Sequence, residues 1–148
     1  MLDKRKILAI DDDPEICEAI QEILTEKGYE VMSALDTVEG ERLLEAEEPD
    51  LLILDIMMAT VDEGFNFASK IKKKHGPWNI PILIVAATPP WERGYSRDRE
   101  EDMDWIAADI FMDKPVHPDD LIHNVELLLR DRDKRRTADA GAGASAHL

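Results

Sequence analysis

Short apolar runs alternate along the chain with longer segments whose apolar residues recur at helical spacing. Five of these runs are predicted strands, and several are apolar at every position, which is typical of strands covered on both faces. The predicted strands are Ile7–Ile10, Val31–Leu35, Leu51–Leu54, Ile82–Ala87 and Ile110–Met112. Because a strand and a helix alternate five times, we predict an α/β fold. It is a doubly wound parallel sheet of five strands, (βα)5, in three layers with helices on both faces.

Capping residues set the predicted helix ends. Asp13 stands before Pro14, which suits a first helical position, and Gly28 ends that helix. Asp36, with Glu39 three residues later, resembles the capping box of a second helix. The predicted helices cover about residues 14–27, 37–47 and 64–74, a stretch that includes Met103, Trp105 and Ile106, and a segment that begins at Pro118.

Length and composition bound the architecture and the partners. The chain has 148 residues, the size of one domain at ~100–200 residues per domain. We predict that domain over residues 1–136 and a disordered Ala/Gly/Ser-rich tail over 137–148. The 33 acidic and 18 basic residues give a formal net charge of −15, so we expect no nucleic-acid partner and no membrane partner. The chain lacks a signal-peptide run and any apolar stretch of ~18 residues, which predicts a cytoplasmic protein.

Charged residues gather at one predicted edge of the sheet. Asp11 and Asp12 directly follow the first strand, Asp55 follows the third, and Lys114 follows the fifth. Ligands bind outside the carboxyl ends of the strands in such folds. Three converging carboxylates repel one another and suit a hard cation such as Mg²⁺, and a neighbouring lysine holds a phosphoryl oxygen. Asp55 is then a candidate nucleophile towards phosphorus. The alternative is that these acids only cap the helix and the loop that follow.

Four segments, in this order on the predicted (βα)5 pattern, carry a family resemblance. They are Ile7–Pro14, Pro49–Met58, Pro81–Ala87 and Lys114-Pro115. On these residues the chain resembles the receiver domain of two-component response regulators, from about Lys4 to Arg130. The resemblance implies a flavodoxin-like fold and a role in phosphorelay signal transduction.

The resemblance also implies a role for each matching position. Asp55 is expected to accept a phosphoryl group from a sensor histidine kinase or a phosphotransfer protein with Mg²⁺ as cofactor, so the chain is a phosphoacceptor and not an enzyme. The implied metal ligands are Asp11, Asp12, Asp55 and the backbone carbonyl of Met57. The implied catalytic residue is Lys114, and the implied switch residues are Ala86, where the family has Thr or Ser, with Ala87 and Phe111. A downstream protein is expected to bind the face of the fourth helix, fifth strand and fifth helix.

Three departures from the family pattern leave other functions open. Ala86 has no hydroxyl for a phosphoryl oxygen, and Thr88 replaces it only if the backbone shifts. The run after Asp55 lacks the usual proline, and the segment over residues 88–104 is longer than usual. The alternative function is therefore a degenerate receiver that acts as a phosphorylation-independent interaction module. A third candidate, a Mg²⁺-dependent phosphohydrolase of the haloacid-dehalogenase type, is disfavoured because Met57 stands where such enzymes carry an acid/base aspartate.

Overall fold

A computed structural model describes residues 4–55, 61–75, 80–87 and 110–146. Within these ranges the chain forms five strands and four helices. The strands are β1 (Lys6–Ile10), β2 (Glu30–Ala34), β3 (Leu51–Asp55), β4 (Ile82–Ala86) and β5 (Ile110–Asp113). The helices are α1 (Pro14–Glu26), α2 (Thr37–Glu47), α3 (Val61–His75) and a C-terminal helix (Pro118–Ala146).

The five strands form one parallel sheet in the order β2-β1-β3-β4-β5. This confirms the predicted doubly wound α/β fold. In the register of the neighbouring inner strands β1 and β3, Ile10 pairs with Leu54. The residues that follow them, Asp11 and Asp55, are therefore neighbours at the carboxyl edge of the sheet.

Each face of the sheet has its own apolar core, because successive strand residues point to opposite sides. Leu52 and Leu54 of β3 belong to the cluster covered by α2 and α3. Leu51 and Ile53 belong to the cluster covered by α1 and the C-terminal helix. The strands are fixed on both faces, so the side chains at their carboxyl ends have a rigid support.

The predicted helix caps of α1 and α2 form as hydrogen bonds. The Asp13 carboxylate accepts from the backbone N–H of Glu15 at 3.0 Å. The Asp36 carboxylate accepts from the backbone N–H of Glu39 at 2.8 Å. The side chain of Glu39 pairs with Arg42 instead of returning to the Asp36 N–H, so the Asp36 cap forms but the reciprocal half of the predicted capping box does not.

The largest difference from the sequence prediction lies in the last helix. It continues to Ala146, whereas the Ala/Gly/Ser-rich composition predicts disorder from residue 137. Alanine has the highest helix propensity, and it offsets the glycines in this stretch. The helix crosses residue 136, so the domain boundary placed there stays a prediction. The predicted helix around Met103 lies outside the described residues. None of the helices in the described ranges is both long and apolar enough to cross a bilayer.

Candidate functional site

Three carboxylates meet at the carboxyl edge of the sheet. Asp11 and Asp12 follow β1 and Asp55 ends β3, and one oxygen of each lies within 4.8 Å of the others. Asp11 and Asp55 are each 2% exposed, whereas Asp12 is exposed. The cluster is therefore buried on the side of the sheet and open on the side of Asp12.

One lysine from the edge strand reaches this cluster. The backbone N–H of Lys114 donates to the carbonyl of Ala86 at 2.9 Å, which extends the pairing of β4 with β5. The Lys114 ammonium nitrogen then lies 3.1 Å from an Asp11 carboxylate oxygen and 3.4 Å from an Asp55 carboxylate oxygen. The structure thus brings together the four charged residues that the sequence places at this edge.

Burial has the largest single effect on the pKa of both Asp11 and Lys114. Burial raises the pKa of Asp11, and the charge of Asp55 raises it further, although the N–H of Asp13 and the ammonium of Lys114 act in the opposite direction. For Lys114, burial disfavours the charged form, but its bond to Asp11 and the charge of Asp55 outweigh burial and raise its pKa above the ordinary value. Three carboxylates face one ammonium group, so the cluster carries an excess of negative charge.

The donor set fits a small, hard divalent cation. All three candidate ligands are carboxylates, and Mg²⁺ is bound in proteins by one or two carboxylates and several waters. The exposed position of Asp12 leaves a side on which such waters and a phosphoryl group have room. The buried excess of negative charge gives a physical reason for a cation at this place. The carbonyl of Met57, the fourth predicted ligand, lies outside the described residues.

The predicted switch residues lie in two different environments. Ala86 is 2% exposed and belongs to the same apolar cluster as the half-buried Phe111. Ala87, the next residue, is exposed. The buried end of β4 therefore carries a methyl group where a Thr or Ser would carry a hydroxyl. Thr88 and the long segment over residues 88–104 lie outside the described residues.

A charged contact that was not predicted from the sequence lies at the opposite ends of the strands. Arg132 of the C-terminal helix is 6% exposed and pairs with Asp50, the residue before β3, at 2.8 Å. A signal was available, because Arg132 continues the helical stripe of buried residues that contains Val125, Leu128 and Leu129.

Comparison with known proteins shows which family has this arrangement. The family model of the response regulator receiver domain matches residues 7–126. The chain belongs to this family. Receiver domains of response regulators are phosphoacceptors in two-component systems, and they bind Mg²⁺ at an acidic pocket. The acidic cluster of this receiver is compatible with that property.

Relatives of known sequence or structure extend over most of the chain. The DNA-binding dual master transcriptional regulator RpaA of Synechocystis is 33% identical over 129 residues, which are 87% of this chain and 51% of RpaA. A CheY-like receiver domain protein of Methanospirillum hungatei is 26% identical with a TM-score of 0.74, over 90% of this chain and 99% of that one. The response regulator TrrA of Thermotoga maritima, solved in complex with Mg²⁺ and BeF, is 31% identical with a TM-score of 0.69, over 84% and 98%. This chain spans about half the length of the curated relatives it matches.

These relatives correct one expectation about partners. The net charge predicts that nucleic acid is not a partner, yet RpaA is named as a DNA-binding regulator. The prediction is wrong because net charge bears only on contact between the acidic surface itself and a phosphate backbone. It does not bear on a different region or protein through which a receiver acts.

Proposed function

We propose that this receiver accepts a phosphoryl group on Asp55 from a phosphohistidine of a sensor kinase or a phosphotransfer protein, in a Mg²⁺-dependent reaction. The observation that carries the proposal is the position of Asp55. Its buried carboxylate ends a central strand, beside two further aspartates and 3.4 Å from the ammonium of Lys114. Phosphorylation then changes the surface that the receiver presents to other proteins.

Each residue of the cluster has a distinct task in this proposal. A carboxylate oxygen of Asp55 attacks phosphorus, the bond between phosphorus and the donor nitrogen breaks, and the imidazole leaves with the electron pair of that bond. Lys114 binds a phosphoryl oxygen as a point charge. Asp11 and Asp12, with the Met57 carbonyl, would hold Mg²⁺, which when bound neutralises charge on the phosphoryl oxygens. The Mg²⁺ and BeF complex of the related TrrA supports this assignment.

The receiver is not an enzyme in this proposal, because the group that it accepts stays on its own side chain until hydrolysis or transfer. We place the reaction in the cytoplasm. By analogy with RpaA, we propose that the signal ends at DNA through a region or partner other than the acidic receiver surface. Comparing the transcripts of cells that carry wild-type or Asp55→Asn protein tests this step, and identical transcripts under a stimulating condition contradict it.

Mass spectrometry of the intact protein tests the phosphoacceptor assignment. We expect incubation with Mg²⁺ and acetyl phosphate to add one phosphate group to the wild-type protein. The gain should disappear in Asp55→Asn and in the presence of a chelator. Asp36→Asn is the matched control, since Asp36 lies at the same edge of the sheet and asparagine is an equally good helix cap. A gain that persists in Asp55→Asn contradicts the assignment.

Ala86 favours a second candidate function, a module that binds its partner whether or not it is phosphorylated. A methyl group cannot donate to a phosphoryl oxygen, and a hydrogen bond to such a charged acceptor contributes roughly 1.5–3 kcal/mol. We expect Ala86→Thr to enlarge the phosphorylation-induced shift of the Phe111 signal in the ¹⁹F NMR spectrum of protein labelled with fluorophenylalanine. An equal shift in both proteins shows that Ala86 does not weaken the response. Failure to gain phosphate or to bind Mg²⁺ favours the second function.

A further inference from the structure

A buried arginine lies at the edge of the sheet opposite to the phosphoacceptor. Arg132 is 6% exposed and lies beyond residues 7–126, which the family model matches. One of its terminal nitrogens donates to an Asp50 carboxylate oxygen at 2.8 Å and to the Asp50 backbone carbonyl at 3.2 Å. The C-terminal helix is therefore held at Arg132 by the residue that precedes β3.

Asp50 connects this helix to two strands of the sheet. Its second carboxylate oxygen accepts from the backbone N–H of Lys6 in β1 at 2.8 Å, and its own N–H donates to the Lys6 carbonyl at 2.7 Å. The carboxylate of Asp50 is thus fully engaged, with one oxygen on β1 and the other on the helix.

A second pair of opposite charges lies next to the first. The Arg5 guanidinium binds the Asp133 carboxylate with two parallel bonds of 2.6 and 3.2 Å. Both of these side chains are nearly half exposed, at 43% and 46%, so their pair contributes less than the buried one. Arg132 and Asp133 are consecutive residues of the helix, and their two ion pairs join it to the amino ends of β1 and β3.

Arg132 is incompletely satisfied in its buried position. Its Nε–H is buried and has no hydrogen-bond partner. A buried, partly unpaired guanidinium is unfavourable unless a counter-charge offsets its desolvation. Asp50 supplies that charge, so the contact depends on the charge of Asp50.

We propose that Arg132 and Asp133, with Asp50 and Arg5, form a charge latch that holds the middle of the C-terminal helix on the sheet and that opens without unfolding of the core. The latch, at the amino ends of the strands, is also connected along the chain to the cluster at their carboxyl ends. The strand that begins after Asp50 ends at Asp55, and the helix that carries Arg132 begins shortly after Lys114. The latch itself does not depend on the proposed phosphorylation.

Hydrogen exchange of the unphosphorylated full chain, read by mass spectrometry, tests the latch. In Asp50→Asn the Arg132 charge has no counter-ion, and we expect amides of residues 130–136 to exchange at least about tenfold faster while those of β3 and β4 stay protected. The double variant Asp50→Asn/Arg132→Met should exchange more slowly than Asp50→Asn, because methionine removes the unpaired charge. Arg42→Met, which breaks an exposed pair with Glu39, is the control and should leave these amides unchanged.

Two outcomes overturn the latch. One is equal acceleration of exchange at residues 130–136 and in the core strands, which makes the contact an ordinary part of global stability. The other is unchanged exchange at residues 130–136.

If Asp50→Asn does not fold, the variant Arg132→Met is the test. Arg132→Met leaves the Asp50 carboxylate without its partner, but that side chain is 25% exposed and stays hydrated. A local acceleration of at least about threefold then supports the latch, and no change overturns it. Neither result bears on phosphate gain at Asp55.

Discussion

The two ends of β3 both carry buried charge, but they balance it differently. At the amino end, Asp50 pairs with Arg132, and Arg5 pairs with Asp133 beside it. Each carboxylate there has its own guanidinium. At the carboxyl end, the described residues place one cation, Lys114, beside the cluster of Asp55 and two further aspartates. The paired charges at the amino end of β3 balance each other, whereas the carboxylates at the carboxyl end outnumber the ammonium group of Lys114.

This difference separates a contact that stabilises the fold from a site that binds a ligand. Buried charges are tolerated when each has a counter-charge and hydrogen bonds. At the amino end the chain's own residues supply a counter-charge for each charge, although the Arg132 Nε–H lacks a hydrogen-bond partner. Among the described residues the carboxyl end does not have a counter-charge for each carboxylate, which favours binding of a cation there. We therefore propose that the cation and phosphoryl chemistry takes place at the end of β3 where the charge is unbalanced.

Removing Lys114, the one cation that the described residues place at the carboxyl end of β3, is the largest perturbation. We expect Lys114→Met to lower the free energy of unfolding by about 3 kcal/mol in metal-free buffer, because it leaves two buried carboxylates without a counter-charge. Mg²⁺ should restore part of this loss. Urea denaturation with and without Mg²⁺ measures both effects. Equal stability of the variant and the wild type in metal-free buffer contradicts the view that Lys114 is needed to offset this charge.

The same chemical change should have opposite signs at the two ends. Asp50→Asn leaves the Arg132 charge buried without a partner, and we expect a loss of about 2 kcal/mol. Asp11→Asn relieves repulsion from Asp55 and the desolvation of a buried carboxylate, and we expect a gain of about 1 kcal/mol in metal-free buffer. Thermal or urea denaturation of both variants in parallel gives the signs. If both substitutions lower the free energy of unfolding, the proposed difference between the two ends of β3 is contradicted.

The fold and the carboxyl cluster could be predicted from sequence because both depend on short-range patterns. Continuous apolar runs such as Leu51–Leu54 predict buried parallel strands, and the parallel register then puts Asp11 beside Asp55. The position of Lys114 follows from the same rule. Their roles as phosphoacceptor, metal ligands and phosphoryl-binding lysine stay predictions until the experiments above are made.

The amino-end contact was missed because a hydrophobic pattern treats arginine as a surface residue. Arg132 lies on the buried stripe of the C-terminal helix, but nothing local to it in sequence indicates that Asp50 is its partner. The continuation of that helix to Ala146 was missed for a related reason. Composition alone does not weigh the helix propensity of alanine against the flexibility of glycine.

Thermal denaturation with added Mg²⁺ tests the central claim, that the carboxyl end of β3 is the end that needs a cation. We expect Mg²⁺ to raise the melting temperature of the wild-type protein, with a stabilisation of roughly 1.4 kcal/mol when Mg²⁺ is tenfold above its Kd. Asp12→Asn should lose most of this increase, and Asp50→Asn should keep it, although it starts from a lower melting temperature. A wild-type protein that does not respond to Mg²⁺, or an equal response of the wild type and Asp12→Asn, contradicts the claim.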